Sequence, residues 1–217
     1  MQSPFIQGFD QLPDTLPIFP LEGAVVMPGA QLPLNIFEPR YLNMIEDAMA
    51  SQHLIGMIQP EAHDKAQGHL LHGTGCAGRI TTYQETFDGR IEIVLSGVCR
   101  FDMQEELPTT RGYRLVIPDW SRFELDYDYP HFEATNQQEE FFERLEGYMS
   151  AQELSIDPIV IHDIPLARLM NVLTTLLPLP HKDKQAIIEA VSFESRYNLL
   201  VSQFERVGSG GPSHLHH

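Results

Sequence analysis

Lysine, cysteine and tryptophan are scarce in this chain of 217 residues: three, two and one respectively. With so few lysines the formal net charge is −16. Proteins that grip phosphate backbones carry a basic face, so nucleic-acid binding is disfavoured. Cys76 and Cys99 are too far apart for a C-x-x-C motif. Two reduced thiols in a cytoplasmic protein are the simplest reading of them. No apolar run approaches the roughly 20 residues of a membrane-spanning helix. The opening MQSPFIQGFDQLPD has neither the basic nor the apolar region of a signal peptide, and it is expected to be a loose arm.

Catalytic signatures are missing as well. No GxxxxGK[ST] phosphate cradle and no G-x-S-x-G nucleophile elbow occur. None of Lys65, Lys182 and Lys184 adjoins a recognisable nucleophilic serine. The loop expected from Gln59 to Gly73 carries His63, His69 and His72 with Glu61, Asp64 and Cys76 nearby. Zinc sites need about four converging ligands, and no spacing here fixes such a set. No metal and no cofactor are expected. A hydrolase built on His63, His69 and His72 with a neighbouring carboxylate stays open as the alternative function.

What the chain does have is a stretch of apolar runs punctuated by proline, Leu16 to Tyr41: LPIFPLEGAVVMPGAQLPLNIFEPRY. Proline suits strand starts, sheet edges and turns, because it fixes φ and removes a donor. Leu32, Leu34 and Ile36 alternate with Pro33 and Asn35, which argues for a half-buried strand. Pro28-Gly29 marks a turn, and Pro39 opens a helix whose apolar face is Tyr41, Met44, Ile45, Ala48 and Met49. Leu54 to Ile58 reads as a buried strand. Gly75 to Tyr83 and Arg90 to Leu95 flank Phe87-Asp88-Gly89, a hairpin signal. Ser96-Gly97 predicts a bend before a further strand, Val98 to Met103. Gly112 to Ile117 supplies another, with Tyr113, Leu115 and Ile117 on one face. From His131 onward the spacing is helical.

LPIFPL followed by VVMPGAQLPLNIFEPRY resembles the N-terminal domain of the Lon protease family, which begins with a segment like LPLFPL and a V-[LF]-[FM]-P-G-x-x-LPL pattern. The resemblance runs from Leu16 to about Phe204. Lys184, Gln185 and Glu189 fit the family's L-P-x-x-x-x-x-K-Q-x-L-L-E register. It implies an α+β fold: a PUA-like closed β-barrel with one inserted helix, then a C-terminal helical bundle. The corresponding divisions are 15–118 for the barrel, 119–130 for an acidic and aromatic connector, 131–207 for the helices and 208–217 for a tail. It also implies a non-catalytic module that binds unfolded or damaged polypeptide or a partner protein.

Asp119 to Asp157 holds eleven acidic residues against Arg122 and Arg144, which reads as a solvated face. Candidate contact residues come from the organising stretch: Val26, Met27, Pro28 and Phe37. Leu32, Leu34 and Ile36 read as core. Met27 and Phe37, beside turn signals, are expected to be exposed.

Overall fold

The computed structural model describes residues 8–64, 68–127, 136–154 and 164–208. The fold is α+β, a multi-stranded sheet with helices. β1 (Leu16–Pro20) lies between β3 (Leu54–Ile58), to which it is parallel, and β8 (Arg114–Asp119), to which it is antiparallel. β6 (Thr74–Glu85) joins β3 to the long β7 (Ile91–Leu107), and β2 (Gln31–Ile36) pairs with β7. The order is β2-β7-β6-β3-β1-β8, with β8 also paired to the second half of β7. All five residues of β3 are buried, as a continuous apolar run predicts. In β2, Ile36 is buried and Leu32 and Leu34 half-buried, while Gln31, Pro33 and Asn35 face out.

β7 continues as one strand through Ser96-Gly97, and the irregularity expected there is a shift of register against β6, Ala77 facing Cys99 and Gly78 facing Gly97. Gly97 also serves a close approach. A Cβ there would stand 2.0 Å from the Met27 carbonyl oxygen. The loop before β2 lies on β7 at this point: Gly29 N–H donates to Gly97 O, and Gly97 N–H to Ala30 O, both at 2.9 Å. β8 departs from the sequence reading, because its buried residues are Val116 and Pro118, with Tyr113, Leu115 and Ile117 half-buried. Val116 joins Leu16, Ile18 and Phe101 in one apolar core. Tyr113 instead turns toward the first helix, where its hydroxyl donates to Asp47 at 2.8 Å. The loop expected from Gln59 to Gly73 contains an antiparallel pair, β4 (Pro60–Asp64) and β5 (Gly68–Leu71). Its polar sequence has no apolar alternation, so nothing set it apart from a loop.

α1 (Pro39–Met49) begins on Pro39, where the missing N–H costs no helical bond. Tyr41, Met44, Ile45 and Ala48 are buried against the sheet. After β8, a 3-10 turn (Ser121–Asp126) buries Phe123, and Trp120 packs edge-on against Phe101. α2 (Asn136–Ala151), α3 (Leu166–Leu176), α4 (His181–Glu189) and α5 (Phe193–Gly208) share one apolar core that includes Phe141, Leu145, Leu173, Ile187 and Phe204. Ser192 caps α5, its Oγ accepting from the Ser195 N–H at 3.1 Å.

Candidate functional site

The four contact residues expected from sequence do not share one surface. Val26 and Met27 are 0% exposed, and Pro28 is buried. The expectation of an exposed Met27 is therefore corrected. α3 stands over this turn: the Met27 N–H donates to Thr175 Oγ1 at 3.1 Å, and Asn171 Nδ2 donates to the Pro28 carbonyl at 3.0 Å. These partners lie 148 and 143 residues away along the chain, so no local pattern announces the cover.

The same seam between sheet and helices is closed by other buried polar groups. Lys184 Nζ donates to the carbonyls of Gly23 and Thr175, both at 3.3 Å, and burial lowers its ammonium from the usual lysine range. Gln59 accepts from the Gly23 N–H and donates to Gln185 Oε1, while Gln185 donates to the Thr74 carbonyl. Arg100, fully buried in β7, grips Asp126 through Nε and Nη2 at 2.7–3.2 Å. Its Nη1 reaches the carbonyls of Ile188 and Ala190 at the end of α4. One guanidinium thus joins sheet, 3-10 turn and helix, with the directional strength of a charge-assisted fork. Sequence reading assigned the acids of this region to solvent, and Asp126 is the exception it missed. Its partner Arg100 is 26 residues away.

Phe37 is 62% exposed, and it lines a groove of roughly 720 Å³. The walls are the end of β1 with Leu21 and Glu22, Pro33 to Asn35 of β2, the start of α1, and Glu106 with Gly112 to Arg114 where β7 turns into β8. Phe19 and Tyr41 form the aromatic floor, ring centroids 4.3 Å apart. Burial pushes the Tyr41 phenol up from its ordinary value. Arg40 lies over the Tyr41 ring at 4.5 Å and pairs with Glu38 at 2.8 Å. Across the groove Arg114 pairs with Glu106. A second, shallower depression of roughly 310 Å³ shares Pro33 to Asn35 and lies over Thr82, Gln84 and Glu92 to Val94. β2 is the ridge between the two, and its outer edge pairs with no strand among the described residues. Pro33 suits such an edge.

Among the described residues no histidine or cysteine lines the groove. Glu38 and Glu106 each face an arginine. Cys76 and Cys99 are buried, and burial pushes both thiols up, away from the reactive thiolate. His72 lies beside Glu189 at 3.9 Å, on the sheet–helix seam. The backbones of His63 and His69 oppose each other in the β4–β5 hairpin. Their side chains, with Lys65 and the tail histidines His214, His216 and His217, lie outside the described residues. Among the described residues no group of three or more His, Cys, Asp or Glu is placed to hold a metal, and no helix is long and apolar enough to cross a membrane.

A sheet with a lateral groove is joined to a set of helices through buried polar groups. Residues 15–206 match the model of the ATP-dependent protease La (LON) substrate-binding domain, and the chain belongs to that family. Among curated relatives, Lon protease 2 of Myxococcus xanthus is 24% identical over 95% of this chain and 25% of its own length. Lon protease of Parabacteroides distasonis is 32% identical over 46% of this chain and 12% of its own length. The chain therefore spans a quarter or less of these relatives. Two solved structures share the fold. The Lon N-terminal domain protein from Xanthomonas campestris has TM-score 0.61 at 21% identity, covering 87% of this chain and 97% of that one. The N-terminal domain of Mycobacterium avium complex Lon protease has TM-score 0.62 at 15% identity, covering 88% and 98%.

Proposed function

We propose that this chain is a non-catalytic polypeptide-recognition module, working in the cytoplasm, that holds unfolded or damaged protein, or a partner protein, in the groove beside β2. The observation that carries the reading is the groove itself. An exposed Phe37 and an aromatic floor stand beside an unpaired strand edge, and two of the rim carboxylates, Glu38 and Glu106, face arginines. Apolar grooves with a few placed polar groups, next to free strand edges, are common polypeptide sites. The family match supports the same class of role. The alternative hydrolase of His63, His69 and His72 gains no observation from the described residues.

Within this reading the pairing of β8 with β7 closes the sheet into a barrel of the PUA-like kind, spanning 15–118. We assign 119–130 as connector, 131–207 as a helical bundle and 208–217 as a tail, of which 128–135, 155–163 and 209–217 lie outside the described residues and Gly208 ends α5. The test is titration of a reduced, unfolded model protein into wild type, Phe37→Ala and Leu34→Ala. Loss of a central apolar anchor weakens binding by about 1–2 kcal/mol, roughly five- to thirtyfold. Wild-type affinity in both variants, with normal melts, overturns the assignment of the groove.

A further inference from the structure

We infer that the groove selects an extended apolar segment flanked by lysine or arginine, and that the Tyr41 hydroxyl grips the backbone of that segment. The inference rests on the polypeptide reading above and adds to it the charge of the occupant and the polar contact that holds it.

Tyr41 is 5% exposed, lines the groove, and packs its ring against Phe19. Its hydroxyl makes no hydrogen bond among the described residues and is not one of the fully buried atoms left without a partner, so it opens onto the groove. Tyr113 and Tyr83 donate to carboxylates instead, Asp47 and Glu85, both at 2.8 Å. A phenol in an apolar surround normally finds a partner. An extended peptide carries carbonyls along both of its edges, so a segment lying in the groove supplies the missing acceptor.

The charge of the walls points to the flanks. Around the groove and the adjoining depression, Glu22, Glu38, Asp88, Glu92 and Glu106 stand against Arg40, Arg90 and Arg114, with Arg90 5.8 Å over the Phe37 ring. The three arginines are already held, by Glu38, Asp88 and Glu106. Among the described residues Glu22 pairs with the His181 imidazole, at 3.2 Å. The acids are in surplus at the site, and the chain as a whole carries −16. A field of that sign draws cationic segments and repels acidic ones. A second copy of this chain brings the same −16 and is the wrong partner for this groove.

The experiment uses fluorescent peptides of about a dozen residues, long enough to cross such a groove as one strand. Each has the same alternating valine–phenylalanine centre, with lysine or glutamate flanks. Anisotropy is read at about 0.05 M and about 0.5 M salt, which changes the screening length severalfold. The lysine-flanked peptide is expected to bind on the order of tenfold more tightly at low salt, with the gap closing at high salt. Tyr41→Phe is expected to lower its affinity about fivefold, the worth of one ordinary hydrogen bond, and to melt like wild type. Equal binding of the two peptides overturns the inference, as does wild-type affinity in Tyr41→Phe. If Phe37→Ala still weakens binding in those cases, the broader polypeptide reading survives alone. Binding of neither peptide nor the unfolded model protein overturns both. Concentration-dependent dimers that disappear in Phe37→Ala assign the groove to a second copy and also overturn the inference.

Discussion

Val25 to Ala30 and Pro33 to Tyr41 are neighbours in sequence and both are apolar runs broken by proline, the second also carrying Asn35, Glu38 and Arg40. The first is buried apart from Gly29, pinned under α3 through Thr175 and Asn171 and laid on β7 at Gly97. The second borders a groove and exposes Pro33, Asn35 and Phe37. The difference lies in what the rest of the chain brings to each. The helical half covers the first and leaves the second open. One half of the stretch anchors the fold, and the other is free to meet a partner.

The largest expected effect is on the anchoring side. Asp126→Ala leaves the buried Arg100 guanidinium without its counter-charge, and losses of about 3–5 kcal/mol follow from such uncompensated burial. Urea denaturation measures it. A loss below about 1 kcal/mol would mean that the seam is not held through Arg100.

Gly97→Ala tests the close approach of the loop to β7. The added methyl meets backbone rather than a flexible side chain, so the loop or the strand must move. Overpacking of this kind costs about 1–3 kcal/mol. Wild-type stability in this variant would show that the Met27 turn shifts freely, and would blur the contrast between the two halves.

A smaller effect is expected from pH. Burial raises the thiols of Cys76 and Cys99 above their ordinary value of 9.0 in the folded chain. Above that pH the unfolded chain releases these protons while the folded chain keeps them, so stability is full below pH 9 and falls as pH rises. Tyr127, pushed up to about 12 by burial, extends the decline above the ordinary tyrosine value of 10.0. Lys184 acts in the opposite sense: its lowered ammonium makes its burial less costly as pH climbs toward 10.5. The double variant Cys76→Ala, Cys99→Ala should show a shallower alkaline decline in melts taken from pH 8 to pH 10. An unchanged slope would contradict the thiol assignment.

The local features were legible in the sequence, and the long-range ones were not. Period two in Leu32, Leu34 and Ile36, the Asp88-Gly89 turn with Gly89 at φ +79°, Pro39 at the start of α1 and Ser192 before α5 each act within a few residues. Their physics is contained in short windows. Met27 looked exposed because a methionine before Pro-Gly is at a turn, and turns usually face water. Its cover comes from α3. Gly97 read as a bend, and the register does shift beside it, but the sequence did not show that it also admits another backbone. Arg100 and Asp126 carry no pattern at all until the fold brings them together. Of the candidate site, Phe37 was readable as an aromatic beside a helix start. Tyr41 was read only as part of the helix's apolar face, because the groove beside it exists only once β1, β7 and β8 are in place.

The most direct test compares the two halves side by side: Met27→Ala and Phe37→Ala, each taken through a thermal or urea melt and a titration with reduced, unfolded model protein. Met27→Ala should lose about 2–5 kcal/mol of stability, as a methionine removed from a packed core does. While it remains folded it should still bind. Phe37→Ala should change stability by no more than about 0.5 kcal/mol, with binding weakened by about 1–2 kcal/mol. The reverse pattern, a Phe37 variant that unfolds easily and a Met27 variant that folds normally but does not bind, would contradict the account.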